Sequence, residues 1–171
     1  MVELKPITSL HPKVMTALDE TLNEIKARKF TVGLYHGVRT PEKQDYLYQK
    51  GRAIASPVLC AHDGLKRKIG ACIEHPFGLP VTNAQAWESL HNYGLAGDLV
   101  FKNERMEWTW DVPSDSWKQL GAVGEIFGLS WGGRWKNPDY PHFEMRPPKL
   151  SMAQIKNLLF EKGIEAVWGL V

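Results

Sequence analysis

The chain has 171 residues, a length that suits one domain with its own hydrophobic core. Hydrophobic residues make up 43% and charged residues 23%, which excludes a disordered polyampholyte, and no run reaches the roughly 18 apolar residues of a membrane span. A net charge of +2 is too small to argue for a nucleic-acid partner. Glu3 lies in the first turn of sequence and no apolar stretch follows, so no secretory signal is expected and synthesis is read as cytoplasmic.

Val14, Leu18, Leu22 and Ile25 recur at helical spacing and predict a helix over 11–28, with Ser9 as the candidate cap. Phe30 to Val38 is β-rich and short enough for a strand. Thr40-Pro41-Glu42 is a helix start, with Thr as cap and Pro in the first turn; that helix should run to about Lys50 and stop at Gly51. Residues 52–88 read as irregular, and a loop of that length in a small domain is often functional. Within it, Cys60, His62, Cys72 and His75 are consistent with a second, structural metal, with a disulfide, or with plain loop residues.

Leu95 to Lys102 predicts a strand, with Ala96, Asp98 and Val100 on one face and Leu95, Leu99 and Phe101 on the other. Trp108 and Trp110 suggest a turn or short strand. Ser114 to Phe127 predicts a helix closed by Gly128, and His142 to Met145 a strand. Ser151-Met152-Ala153-Gln154 has the form of a capping box opening a C-terminal helix over 151–162. Helices and strands mix without βαβ alternation, so the class expected is α+β.

Two stretches carry the chemistry. Ser89-Leu90-His91-Asn92-Tyr93-Gly94-Leu95-Ala96-Gly97-Asp98 and Asp139-Tyr140-Pro141-His142-Phe143-Glu144 together offer two imidazoles, one carboxylate and a spare acid. Three protein ligands and an open position are the pattern of a catalytic zinc, so His91, Asp98 and His142 are the expected ligands of one ion. Gly94 should permit a bend between His91 on a loop and Asp98 in the strand. Pro141 forbids a continuous helix, so a turn should bring Asp139 near the ion as general base. Arg39 is the candidate for a developing oxyanion or a substrate carboxylate, with a structural ion pair as its other reading. Ser89 is either a substrate contact or a turn residue. Trp135, after Gly132-Gly133-Arg134, is the aromatic expected in the cleft wall. His11 and His36 read as ordinary core or surface residues, and Glu144 as an ion-pair or surface residue, or the fallback base.

The residues Ser89-x-His91-x-x-Gly94-x-Ala96-x-Asp98 resemble the S-x-H-x-x-G-x-A-x-D signature of the LAS metallopeptidases, the VanY-type D-alanyl-D-alanine carboxypeptidases and dipeptidases and the L-alanyl-D-glutamate endopeptidases of phage lysis enzymes. Trp131-Gly132-Gly133 with Asp139-Tyr140-Pro141-His142-Phe143-Glu144 is similar to the endolysin branch, as is Gly37-Val38-Arg39-Thr40 with Glu42, Gln44, Leu47, Tyr48, Gly51 and Arg52. The likeness covers about residues 30–146, with 53–80 an insertion against shorter members.

This resemblance implies a small antiparallel sheet flanked by helices, the fold shared by hedgehog and D-Ala-D-Ala peptidases. It implies zinc on His91, Asp98 and His142, with Asp139 as base where carboxypeptidase-like members carry Glu, and substrate held by Arg39 and Ser89. The implied substrate is the peptidoglycan stem peptide, cut at the L-Ala–D-Glu bond by an endolysin that reaches the wall after membrane permeabilisation. The alternatives are a D-Ala-D-Ala carboxypeptidase or dipeptidase, or a zinc-bearing module without catalysis. A single peptidase domain over 1–171 is expected, without a separate wall-binding domain. The expected state is a monomer with no nucleic-acid partner and no membrane insertion.

Overall fold

The computed structural model describes residues 6–49, 58–59, 66–67 and 81–171. Five strands form one antiparallel sheet. Strand β1 (Val32–His36) pairs with β4 (Ala96–Lys102), β4 with β7 (His142–Glu144), and β7 with β6 (Ser130–Trp131). Strand β5 (Trp108–Thr109) pairs with the far end of β4. A separate pair joins β2 (Val58–Leu59) to β3 (Lys66–Arg67). The helices are α1 (Pro12–Ala27), α2 (Pro41–Gln49), α3 (Ser114–Ile126), α4 (Met152–Lys162) and α5 (Ile164–Trp168). None of the described helices is long and apolar enough to cross a membrane. The α+β class is what the residue pattern predicts, and the small antiparallel sheet is what the family resemblance implies.

Alternation along β4 divides the molecule. Leu95, Leu99 and Phe101 turn into the core with Val14, Leu18 and Ile25 of α1 and Trp117, Leu120 and Val123 of α3. Gly97 lies on the same side, where an added Cβ would stand 2.8 Å from Leu18 Cδ1, so helix and sheet touch through a missing side chain. Asp98 takes the opposite face. Register carries that face across the sheet: His142 and His36 both stand opposite Asp98, and Glu144 stands opposite Ala96.

Helix boundaries follow local chemistry with one correction. The cap of α1 is His11, whose Nδ1 accepts from Lys13 N at 3.2 Å, and not Ser9. Pro12 occupies the first helical position, so the residue before it is the one that caps. Thr40 Oγ1 accepts from Lys43 N, and Ser151 and Gln154 close a reciprocal capping box. The first strand is shorter than predicted, 32–36 rather than 30–38. Lys50, Gly51 and the group Cys60, His62, Cys72 and His75 lie outside the described residues.

The short α5 was not foreseen, and it anchors the site. Trp168 Nε1 donates to Tyr93 O at 2.7 Å, and its ring meets the buried His11 edge-on. The last helix thus grips the turn that leads into β4.

Candidate active site

His91 lies on a 3-10 turn, Leu90–Tyr93, closed by Gly94 at φ 67. A Cβ there would stand 2.6 Å from Ser9 O, so both the backbone conformation and the close approach require glycine. The turn is clipped to the loop after β1: Arg39 N donates to His91 O at 3.1 Å, and Asn92 Nδ2 returns a bond to Arg39 O at 2.8 Å. His91 is therefore set by hydrogen bonds between its turn and the Gly37-to-Arg39 loop, and Asp98 by its place in β4.

His142 and Asp139 are positioned from the other side. Asp139 N donates to Gly132 O, and His142 N donates to Asp139 O at 3.2 Å, forming the turn that Pro141 predicts. Trp131 Nε1 holds Tyr140 O at 2.8 Å. Gly132 allows this approach, since a Cβ on it would stand 2.6 Å from Asp139 O and 3.1 Å from His142 Cβ.

The three expected ligands meet. His91 Nε2 lies 3.2 Å from Asp98 Oδ1 and 3.2 Å from His142 Nδ1, and His142 Nδ1 lies 3.4 Å from Asp98 Oδ1. Tetrahedral ligands about 2.0–2.1 Å from a zinc ion are separated by roughly 3.3–3.4 Å, so this triangle has the dimensions of one face of such a site. Each imidazole spends its other nitrogen on a fixed acceptor. His91 Nδ1 lies 2.7 Å from Gly37 O, and His142 Nε2 lies 3.1 Å from Glu144 Oε2. With those nitrogens protonated, the two facing nitrogens present lone pairs to the triangle, the tautomers that a metal requires. The donor set of two imidazoles and one carboxylate fits zinc.

The electrostatics agree. Asp98 is largely withdrawn from water, which alone would raise its pKa, yet hydrogen bonding to His142, His36 and His91 holds it well below the usual carboxylate range. Its second oxygen accepts from Arg39 Nη2 at 3.2 Å, and His36 Nδ1 stands 3.6 Å away. Burial lowers the His142 imidazolium, but Asp98 and Glu144 outweigh it and push its pKa up to about 9 in the metal-free protein. Burial raises Asp139 above the ordinary range, although His142 opposes the change. Asp139 is therefore a stronger base than an exposed carboxylate.

The remaining expected residues line the same cleft, of about 930 Å³: Arg39, Ser89 and Trp135, together with His36, Asp139 and Arg146. Arg39 is engaged, with Nη1 on Gln44 Oε1 at 2.8 Å and Nη2 on Asp98, so the ion-pair reading describes its state here. Ser89 occupies the cap position of the 3-10 turn and makes no capping bond with its side chain. The Trp135 ring lies 5.0 Å from the His142 ring and forms part of the wall.

Two residues do more than the sequence reading gave them. Glu144 makes the expected ion pair, with Arg146 Nε at 3.3 Å, but it is buried rather than on the surface and also holds His142 Nε2. Its place two residues after His142 in a strand was the available signal, since both then share a face. His36 reaches Asp98 only because the β1–β4 register slips between Leu34 and His36, and no pattern in the sequence announces that bulge.

A His-Asp-His triangle beside an acid, on the cleft-lining face of a small antiparallel sheet, defines a metallohydrolase architecture. A family model described as D-alanyl-D-alanine carboxypeptidase matches residues 82–145. The peptidoglycan L-alanyl-D-glutamate endopeptidase CwlK of Bacillus subtilis (strain 168) is 30% identical over 151 residues, covering 83% of this chain and 77% of CwlK. The L-Ala D-Glu endopeptidase ChiX of Serratia marcescens shares the fold at a TM-score of 0.50 and 18% identity, with 80% of each chain covered. The chain belongs to the LAS-type metallopeptidase family.

Proposed function

We propose that this protein is a zinc-dependent peptidoglycan hydrolase that cuts the L-Ala–D-Glu bond of the stem peptide. The observation that carries the reading is the triangle of His91, Asp98 and His142, with edges of 3.2–3.4 Å and both outer imidazole nitrogens already committed. The similarity to CwlK supports the substrate and the bond. The likeness of Trp131-Gly132-Gly133 and the Asp139-to-Glu144 segment to phage lysis enzymes supports a role as an endolysin. Residues 1–171 then form a single peptidase domain.

His91, Asp98 and His142 would hold the zinc ion, which would supply Lewis acidity and lower the pKa of water toward neutrality. The protein's own groups do the rest. Asp139 takes the proton of the attacking water at its carboxylate and later delivers it to the leaving amine nitrogen. Its raised pKa lets it hold that proton between the two transfers. Arg39, once substrate draws it from Asp98 Oδ2, places a guanidinium beside the developing oxyanion. Gln44, buried and bonded to Arg39 at 2.8 Å, limits how far the guanidinium can swing. Ser89 offers a hydroxyl to the peptide, and Trp135 packs against its apolar parts. The rim cations Lys136 and Arg146 suit a stem peptide rich in carboxylates.

Digestion of purified peptidoglycan tests the reading. New N-terminal D-Glu, abolished by chelation and restored by zinc, is expected. Release of D-Ala instead would assign the bond specificity carried by the description of the family model over 82–145.

A further inference from the structure

One part of the cleft takes no part in the chemistry above. Tyr35, Trp108 and Trp110 are exposed by 38%, 38% and 49%, an unusual outlay of aromatic surface on three neighbouring side chains. They form one cluster: the Tyr35 ring lies 5.3 Å from Trp108 and 5.2 Å from Trp110, both edge to face. The cluster is built rather than incidental. Gly33 leaves room for Trp108, whose Cη2 would stand 3.0 Å from an added Cβ, and Lys102 Nζ lies 4.4 Å over the same ring. Tyr35 follows Gly33 by two residues along β1 and so faces the same side as Trp108. Neither indole N–H of Trp108 or Trp110 meets an acceptor among the described residues, so the cluster presents donors as well as ring surface.

Position identifies the occupant. Tyr35, Val100 and Trp110 line the same cleft as the metal-site residues. The registers of β4 with β5 and β7 put Trp110 toward its C-terminal end and Arg146 toward its N-terminal end, with Asp98 and His142 between. The aromatic end is close to the reaction: His36 Nδ1 is 3.6 Å from Asp98 Oδ2, and the Tyr35 and His36 rings are 4.2 Å apart. In peptidoglycan the L-Ala that donates the scissile carbonyl is joined through one lactyl unit to an N-acetylated amino sugar. An alanyl and a lactyl unit span about 7 Å when extended, so the sugar would stand only two units from the scissile carbonyl, among side chains that border the metal-site residues. The apolar faces of a pyranose pack on aromatic rings, and its hydroxyl and acetamido oxygens accept from indole N–H groups.

We infer that Tyr35 and Trp110, backed by Trp108, form a subsite for the sugar ring that carries the stem peptide. The inference rests on the peptidoglycan reading above. It fixes the direction of the substrate, with glycan at the Trp110 end and the D-Glu side of the peptide toward Arg146.

The test compares two substrates that share one scissile bond, a disaccharide-linked stem peptide and the same peptide without sugar. Wild-type kcat/KM is expected to favour the sugar-bearing substrate by about three- to ten-fold, the size of one aromatic stacking contact. W110A should erase that preference while cleaving the free peptide at the wild-type rate, and W110F should keep part of it. Zinc content and thermal unfolding of each variant establish that the site and fold are intact. No wild-type preference for sugar, or an equal loss on both substrates in W110A, overturns the subsite while leaving the peptidase reading standing. A wild-type enzyme that cuts neither substrate removes the peptidase reading and the subsite with it.

Discussion

Replacing Gly132 by Ala examines how the base and the third ligand are placed. The new Cβ would stand 2.6 Å from Asp139 O, 3.1 Å from His142 Cβ and 3.3 Å from Asp139 Cβ. A carbon–oxygen contact relaxes to roughly 3.3–3.6 Å, so the Asp139–His142 turn must retreat by on the order of 0.7 Å. Gly132 does not have a positive φ, so the effect is steric and not conformational. Overpacking of this kind costs about 1–3 kcal/mol of stability, which a fold of this size can absorb. Catalysis should suffer more, because a displacement approaching 1 Å at the reacting groups costs about 10²-fold. G132A is therefore expected to stay folded, with kcat/KM down by roughly 10²-fold and zinc affinity also reduced. Steady-state kinetics on peptidoglycan fragments, zinc titration and thermal unfolding measure the three quantities. A folded G132A with wild-type turnover and zinc affinity would refute the claim that this turn positions the chemistry.

Other expectations follow from single contacts. E144Q should weaken zinc binding by about 10–100-fold, because a neutral amide replaces the carboxylate that orients His142; an unchanged dissociation constant in a chelator competition would contradict this. Asp139→Asn should keep zinc and lose about 10²–10⁴ in turnover, and retained turnover would deny it the role of base. In the metal-free protein the His142 pKa lies above its unfolded value, so its contribution to stability is full below about pH 6.5 and is lost as pH rises through about 9. Zinc must displace that proton, so its dissociation constant should fall about tenfold per pH unit between pH 7 and 9, with close to one proton released; calorimetry in two buffers with no proton release would dismiss the coupling. W168A removes the bond to Tyr93 O and the packing on His11, and should cost about 2–4 kcal/mol, seen as a lowered Tm.

The half of the site that is local in sequence was legible, and the half that depends on tertiary register was read only in part. His91, Gly94 and Asp98 sit within one turn-to-strand segment, where a bend and an alternation fix their relation. His142 could be named from its Asp and Pro neighbours, but its pairing opposite Asp98 is a matter of β4–β7 register, which no local pattern contains. Glu144 shows the cost of reading residues singly, since strand alternation from His142 already put it on the same face. His36 lay beyond reach, because the bulge that brings it to Asp98 is a tertiary adjustment. Ser9 is the residue type that usually caps, but Pro12 at the first helical position makes His11 the cap. The last helix, α5, is too short for periodicity to reveal, and its importance comes from where Trp168 docks.

X-ray absorption at the zinc edge of the Asp139→Asn variant, combined with its zinc stoichiometry, bears most directly on the central claim. One ion per chain, with two imidazole nitrogens, one carboxylate oxygen and a light solvent atom, is the expected result, and Ala at His142 should abolish it. Sulfur among the ligands, or full zinc retention after loss of His142, would mean that the ion resides elsewhere and that the triangle is not a metal site.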